Sequence, residues 1–251
     1  VSRPVGFSLI NSTNGGRMNV SPSISPDGKY VVYLSEQDLF SIDMFLADAV
    51  TGKMIRKLGS KLTNGDIDEF SFIESAGSFS PDSKKFAFSV FSDGKNKLMA
   101  VDVESGKTLF VEAMGDLIEF GNITWAPDGQ SVAFSGLKNG YSDLYTFNLQ
   151  TKELRQLTDD YYSDFQPSYA KDGKHIVFST DRLALKGQGR SVDIPMNLAI
   201  IDLTSLEIKN INVFPGANNL NPLFSTSGKE LYFLSNGDGF RNMYQLDIAS
   251  G

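Results

Sequence analysis

One phrase recurs five times along the chain and limits what it can fold into. A short apolar run meets Pro-Asp-Gly or a variant, and a second apolar run follows at once. The copies are ISPDGKYVVY at 24–33, FSPDSKKFAF at 79–88, WAPDGQSVAF at 125–134, YAKDGKHIVF at 169–178 and FSTSGKELYF at 224–233. Taken from the turn residues Asp27, Asp82, Asp128, Asp172 and Ser227, the steps are 55, 46, 44 and 55 residues. A unit of this size cannot bury a core alone and must stack on its neighbours.

Each unit divides into four short β segments separated by turn signals. The third is the plainest. Ile123–Ala126 leads into the Pro127-Asp128-Gly129 turn, and 131–135 alternates apolar and polar. Lys138-Asn139-Gly140 turns the chain, 143–149 alternates again, and after 150–153 the segment Leu154–Thr158 completes the unit. The turn chemistry is specific. Proline presets φ, aspartate bonds its own backbone, and glycine accepts φ > 0. The third strand ends in a recurring Asp-apolar pattern, at Val101-Asp102-Val103, Ile201-Asp202-Leu203 and Leu246-Asp247-Ile248.

Four-stranded antiparallel units at this spacing predict an all-β chain, a β-propeller with five recognisable blades. The expected blades are 18–59, 73–113, 120–158, 165–214 and 220–251, in one domain over 1–251. The fifth unit stops after its third strand. The orphan strand within 1–11 is expected to supply the missing outer strand and close the ring, which removes two sheet edges. The alternative is a six-bladed propeller with one blade missing from this chain. Either way the chain reads as part of a longer protein.

Charge narrows the partners. The formal net charge is −7, against the basic footprint that nucleic acid or an anionic membrane requires. No run reaches the roughly 20 apolar residues that span a bilayer, so no membrane insertion is expected. The chain has no cysteine, which rules out disulfides, thiolate metal sites and cysteine nucleophiles.

The Ser-Pro-Asp-Gly-Lys turns, followed by Leu-Tyr-x-x-Asp/Asn-Leu and Leu-Thr, resemble the PD40 repeat. This is the WD40-like blade of the TolB family and of propellers attached to prolyl-oligopeptidase-type peptidases. Residues 38–48 (DLFSIDMFLAD) and 157–167 (LTDDYYSDFQP) are also similar to TolB-like propellers of large secreted or periplasmic bacterial proteins that carry a peptidase-like domain. The resemblance implies a periplasmic or extracellular bacterial protein. It covers nearly the whole chain, but its motif residues are turn and packing residues, so it speaks for fold before function. Lys171 and Thr226 depart from the turn proline, and Ser227 departs from the turn aspartate.

Catalytic motifs are missing. His175 is the single histidine, which excludes a His-Glu-x-x-His zinc motif and leaves one candidate base, on a strand just after a turn. There is no Gly-x-Ser-x-Gly elbow and no phosphate-binding glycine loop. The acidic groups Asp66-Ile67-Asp68-Glu69 and Asp159-Asp160 with Asp164 offer oxygen ligands that suit Ca²⁺, yet neither matches an EF-hand. They read as solvated loop charge, and no cofactor or metal is expected. The repeated Asp27, Asp82, Asp128 and Asp172 read as structural turn residues. Trp125 shares its slot with Ile24, Phe79, Tyr169 and Phe224 and reads as core.

Propeller geometry gathers the inter-blade loops and the loops joining strands two and three on one face, opposite the turn aspartates. Variable loops on a rigid scaffold are where binding is expected. The partner-binding candidates there are Arg17, Phe72, Tyr141, Tyr161, Tyr162, Asp164, Arg182, Arg190 and Arg241. Aromatics among Arg and Asp suit a protein patch. The expected function is a monomeric, non-catalytic propeller that binds protein or peptide through this face. The alternative is an accessory or gating propeller of a secreted bacterial peptidase whose catalytic domain lies outside this chain.

Overall fold

The computed structural model describes residues 6–13, 15–38, 41–59, 69–70, 77–184 and 194–249. The described residues are all β, with no helix, and form the five small antiparallel sheets of a β-propeller. Two compact units divide at Ala113/Met114.

The first unit carries two blades. Blade one is β1 (Asn19–Ile24), β2 (Tyr30–Asp38), β3 (Ser41–Asp48) and β4 (Met54–Gly59), paired in chain order. Blade two is β7 (Lys85–Ser92), β8 (Lys95–Asp102) and β9 (Thr108–Ala113), with its inner strand in two pieces, β5 (Glu69–Phe70) and β6 (Ser78–Phe79), both paired to β7. Alternation buries one set of side chains on each face of the middle strands. Val32, Leu34, Met44 and Leu46 of blade one thereby pack on Phe86, Phe88 and Met99 of blade two. Residues 6–13 form no strand. Leu9 and Ile10 lie instead against Val31, Tyr33, Phe45 and Ala47 of blade one.

The second unit carries three blades. Blade three is β10 (Glu119–Trp125), β11 (Ser131–Lys138), β12 (Tyr141–Asn148) and β13 (Leu154–Gln156). Blade four is β14 (Asp164–Tyr169), β15 (His175–Thr180), β16 (Asn197–Asp202) and β17 (Ile208–Ile211). Blade five has three strands among the described residues, β18 (Asn219–Phe224), β19 (Glu230–Ser235) and β20 (Asn242–Asp247). Ala133 and Leu144 of blade three pack against Ile176, Phe178 and Ala199 of blade four. In the slot shared by the repeats Phe79 and Trp125 are buried and Tyr169 and Phe224 half-buried, but Ile24 is 67% exposed, so the slot is not core in blade one.

Inner strands share a device that alternation does not announce. β1, β10, β14 and β18 each carry a register shift. Inside each shift a non-glycine residue takes positive φ: Ser21 (53°), Asn122 (53°), Gln166 (56°) and Asn221 (53°). Such a bulge bends the strand and deepens its twist. In the second unit it also ties blades together, because Gln166 Oε1 accepts from both Ser179 Oγ and the Asn221 N–H.

Candidate functional site

The turn aspartates do backbone work. Asp27 Oδ1 accepts from the Lys29 N–H at 3.1 Å and the Ser25 hydroxyl at 2.7 Å, and Asp82 repeats the pattern with Lys84 and Ser80. Asp128 accepts from the Gln130 N–H and Asp172 from the Lys174 N–H. In the fifth unit Ser227 Oγ takes over, accepting from the Lys229 N–H. These bonds hold Asp27 and Asp82 below the usual carboxylate range, the serine hydroxyl being the largest cause in both. The His175 ring sits between Asp172 (2.7 Å) and Asp202 (3.5 Å). It lines a cleft of about 860 Å³ on the turn side of blades four and five. The hydroxyls of Ser205 and Ser227 on that wall serve local turns.

At the other end of blades one, three and four, the loop entering the inner strand is bonded to the end of strand two. In blade one the Arg17 N–H donates to Glu36 O and the Glu36 N–H to Met18 O. In blade three the Ile118 N–H donates to Leu137 O. In blade four the Asp181 N–H donates to Ser163 O, and Asp181 Oδ1 accepts from the Ser163 N–H. These pairings make the loop side a fixed surface.

Arg182 is the anchor of that surface in blade four. The residue is 5% exposed. It donates to Asp164 and, at 2.7 Å, to Asp160 and to Thr180 Oγ1. The Tyr162 and Phe178 rings cover it at 5.2 and 5.7 Å. Burial pushes the Asp164 carboxyl up, and Arg182 opposes the shift. Asp143 of β12 approaches from blade three, so that carboxylate oxygens of Asp143, Asp160 and Asp164 lie within 4.8 Å of one another. That spacing suits a cation bound through oxygen, and the chain's own Arg182 supplies positive charge there. Asp143 accepts from the Thr158 hydroxyl and the Gln156 amide. Burial pushes its carboxyl up to about 6, opposed by Thr158 and reinforced by the charges of Asp164, Asp160 and Asp159.

Above this network opens a cleft of about 460 Å³, lined by Lys138, Tyr141, Asp143, Gln156, Asp159, Asp160 and Tyr161. The Tyr141 and Tyr161 rings meet edge to face at 5.7 Å and are 39% and 79% exposed. Lys138 is ion-paired with Asp116 at 2.9 Å.

The structure thus sorts the candidates. It brings Tyr141, Tyr161 and the half-buried Tyr162 together on one side of blades three and four. Asp164 and Arg182 require correction as contact residues. Asp164 is 0% exposed, and both charges are spent on an internal ion pair. Arg17 and Arg241 are exposed on loops of separate units. Phe72 and Arg190 lie outside the described residues, as do Asp66 and Asp68.

One structural position escaped the reading of the repeat. Eight residues before the turn residue stand Asn19, Asp164 and Asn219. Asn219 donates to the carbonyls of Met196, Val213 and Ala217 and accepts from the Ser235 hydroxyl. Asn19 bonds both backbone groups of Gly16 and accepts from Ser35. Alignment of the repeats on their turns carries this signal.

Sheets of this size, joined in this order and closed by these turns, define a β-propeller. The family model described as TolB beta propeller domain matches residues 71–190, and the chain is TolB-like. It is 24% identical over 236 residues to the Tol-Pal system protein TolB of Francisella tularensis subsp. mediasiatica, covering 92% of this chain and 48% of that protein. The chain therefore spans about half the length of the curated relatives it matches. Among solved structures it superposes on a putative TolB from Agrobacterium tumefaciens with a TM-score of 0.72 at 20% identity, covering 93% of this chain and 78% of that one. It also superposes on a puromycin-hydrolyzing peptidase of Mycobacterium tuberculosis with a TM-score of 0.64 at 14% identity, covering 91% and 35%.

Proposed function

We propose that this chain is a non-catalytic propeller that binds a protein or peptide through its loop side, in the bacterial periplasm or outside the cell. The observation that carries the reading is the Tyr141–Tyr161 pair. Two large exposed rings stand side by side, Tyr141 at the start of β12 and Tyr161 on the loop after β13, next to Asp160, which the buried Arg182 holds. Rigid aromatic side chains on a rigid support lose little entropy on binding and are common interface anchors. The likeness to a Tol-Pal system protein supports a protein partner. The repeated aspartates, in contrast, are consumed by turns.

A second reading is an accessory propeller of a peptidase. The likeness to a peptidase of Mycobacterium tuberculosis, of which this chain matches 35%, favours it. On that reading the loop side positions a substrate segment and another part of the protein performs the chemistry.

The test is a set of exposed alanine variants on both sides, assayed for capture of the natural partner from its host. We expect Tyr161→Ala and Arg241→Ala to lose partner while Lys84→Ala and Gln130→Ala keep it. Loss confined to the turn-side variants contradicts the proposal. Cleavage of the captured protein only when the full-length parent is used selects the second reading.

A further inference from the structure

We infer that the Tyr141–Tyr161 cleft recognises a cationic side chain, an arginine or lysine carried by the bound segment. The inference rests on the proposed binding role of the loop side and names the chemistry of its occupant.

Shape comes first. The cleft has a volume of about 460 Å³ and two tyrosine rings on its rim, one of them 79% exposed. A ring face attracts a cation through its quadrupole, and the attraction grows where the cation is partly desolvated.

Charge comes second. Asp143, Asp159 and Asp160 line the cleft. Arg182 engages Asp160 from below, and Lys138 on the wall is turned to Asp116. Asp143 is held by the neutral donors Thr158 and Gln156. The wall therefore keeps an excess of negative charge, complementary to a cationic guest.

The neighbouring cage supplies the third observation. One residue along, Tyr162 with Phe178, Asp160 and Asp164 encloses a guanidinium, that of Arg182. A similar combination of aromatic rings and carboxylates lines the cleft at Tyr141, Tyr161, Asp143 and Asp159, this time in an open site. An anionic or purely apolar side chain would meet repulsion or leave these carboxylates desolvated without a partner.

The full chain is titrated at low ionic strength with three blocked tripeptides, Ac-Gly-Arg-Gly-NH₂, Ac-Gly-Lys-Gly-NH₂ and the citrulline counterpart of the first. Backbone amide shifts of 138–144 and 156–162 report binding. A cationic peptide is expected to move these amides and to bind about fivefold or more tightly than the neutral citrulline peptide. The arginine and lysine arms show which cation is preferred. Tyr161→Ala and Asp159→Asn, both surface changes, are each expected to weaken binding about three- to tenfold with an unchanged melting temperature. Equal binding of the citrulline peptide, or wild-type affinity in the Tyr161→Ala/Asp159→Asn double variant, overturns the inference. A natural partner captured with undiminished affinity by that double variant also overturns it, and leaves protein binding by the loop side standing. Peptide discrimination without any protein capture supports the cation site and counts against the wider binding role.

Discussion

Asp27 and Asp143 are both aspartates of blades, yet their surroundings drive them in opposite directions. Asp27 is exposed at a turn and bonded to Ser25 and Lys29, which favours its charge. The glycine beside it, Gly28, holds φ at +72°, and a Cβ there would meet nothing within 4 Å. Gly28→Ala therefore isolates backbone strain, and we expect a loss of about 1 kcal/mol in denaturant unfolding. Asp143 is buried beside three other acids, and its carboxyl rises to about 6. The ordinary value is near 4, so between about pH 4 and 6 the folded chain holds a proton that the unfolded chain has lost. That stabilisation is complete below pH 4 and disappears as pH climbs through 6. Asp143→Asn should lose on the order of 1–2 kcal/mol less stability than the wild type between pH 4 and 7. Unfolding curves of both proteins at the two pH values check this. Parallel curves contradict it.

At the scale of the element, neighbouring blades within each unit are joined by apolar side chains and, in the second unit, by a polar tie at Gln166. Phe178 is fully buried between blades three and four and also covers the Arg182 guanidinium. Phe178→Ala should cost about 3–5 kcal/mol. Arg182→Ala should cost a similar ~3–5 kcal/mol, because it leaves the Asp164 carboxylate buried without its cation. Hydrogen exchange should then rise first in 158–164 and 177–184, where the loops lose their anchor. The blades were legible in the sequence because their turns repeat at a readable spacing and their strands alternate. The inner-strand bulges were not, since Ser21, Asn122, Gln166 and Asn221 break no alternation that a sequence reader can see. The fate of Asp164 and Arg182 was hidden for a related reason. Acidic and basic letters in loops read as surface, and only the fold shows that 160, 164 and 182 converge on one buried point. Tyr141 and Tyr161 stand twenty residues apart in the sequence, which carries no sign that they touch. Their contact follows from the way β12 and the loop after β13 share one side of blade three.

For the whole molecule, the net charge of −7 and the acidic cleft set the character of binding. Affinity for a cationic segment should fall as salt is raised from 0.01 to 0.15 M, since the screening length shortens from about 30 to 8 Å. Calorimetric titration at the two ionic strengths measures it, and a salt-independent affinity argues against charge as the attractor. The central claim is that the repeated letters build the scaffold while the loop side recognises. The most direct measurement pairs stability with partner affinity in two variants, Asp27→Ala/Asp128→Ala on the turn side and Tyr141→Ala/Tyr161→Ala on the loop side. The account predicts that the first lowers the melting temperature and leaves affinity within about twofold of wild type, while the second leaves the melting temperature and weakens affinity about tenfold or more. Affinity lost in the aspartate variant while folding is intact would contradict it.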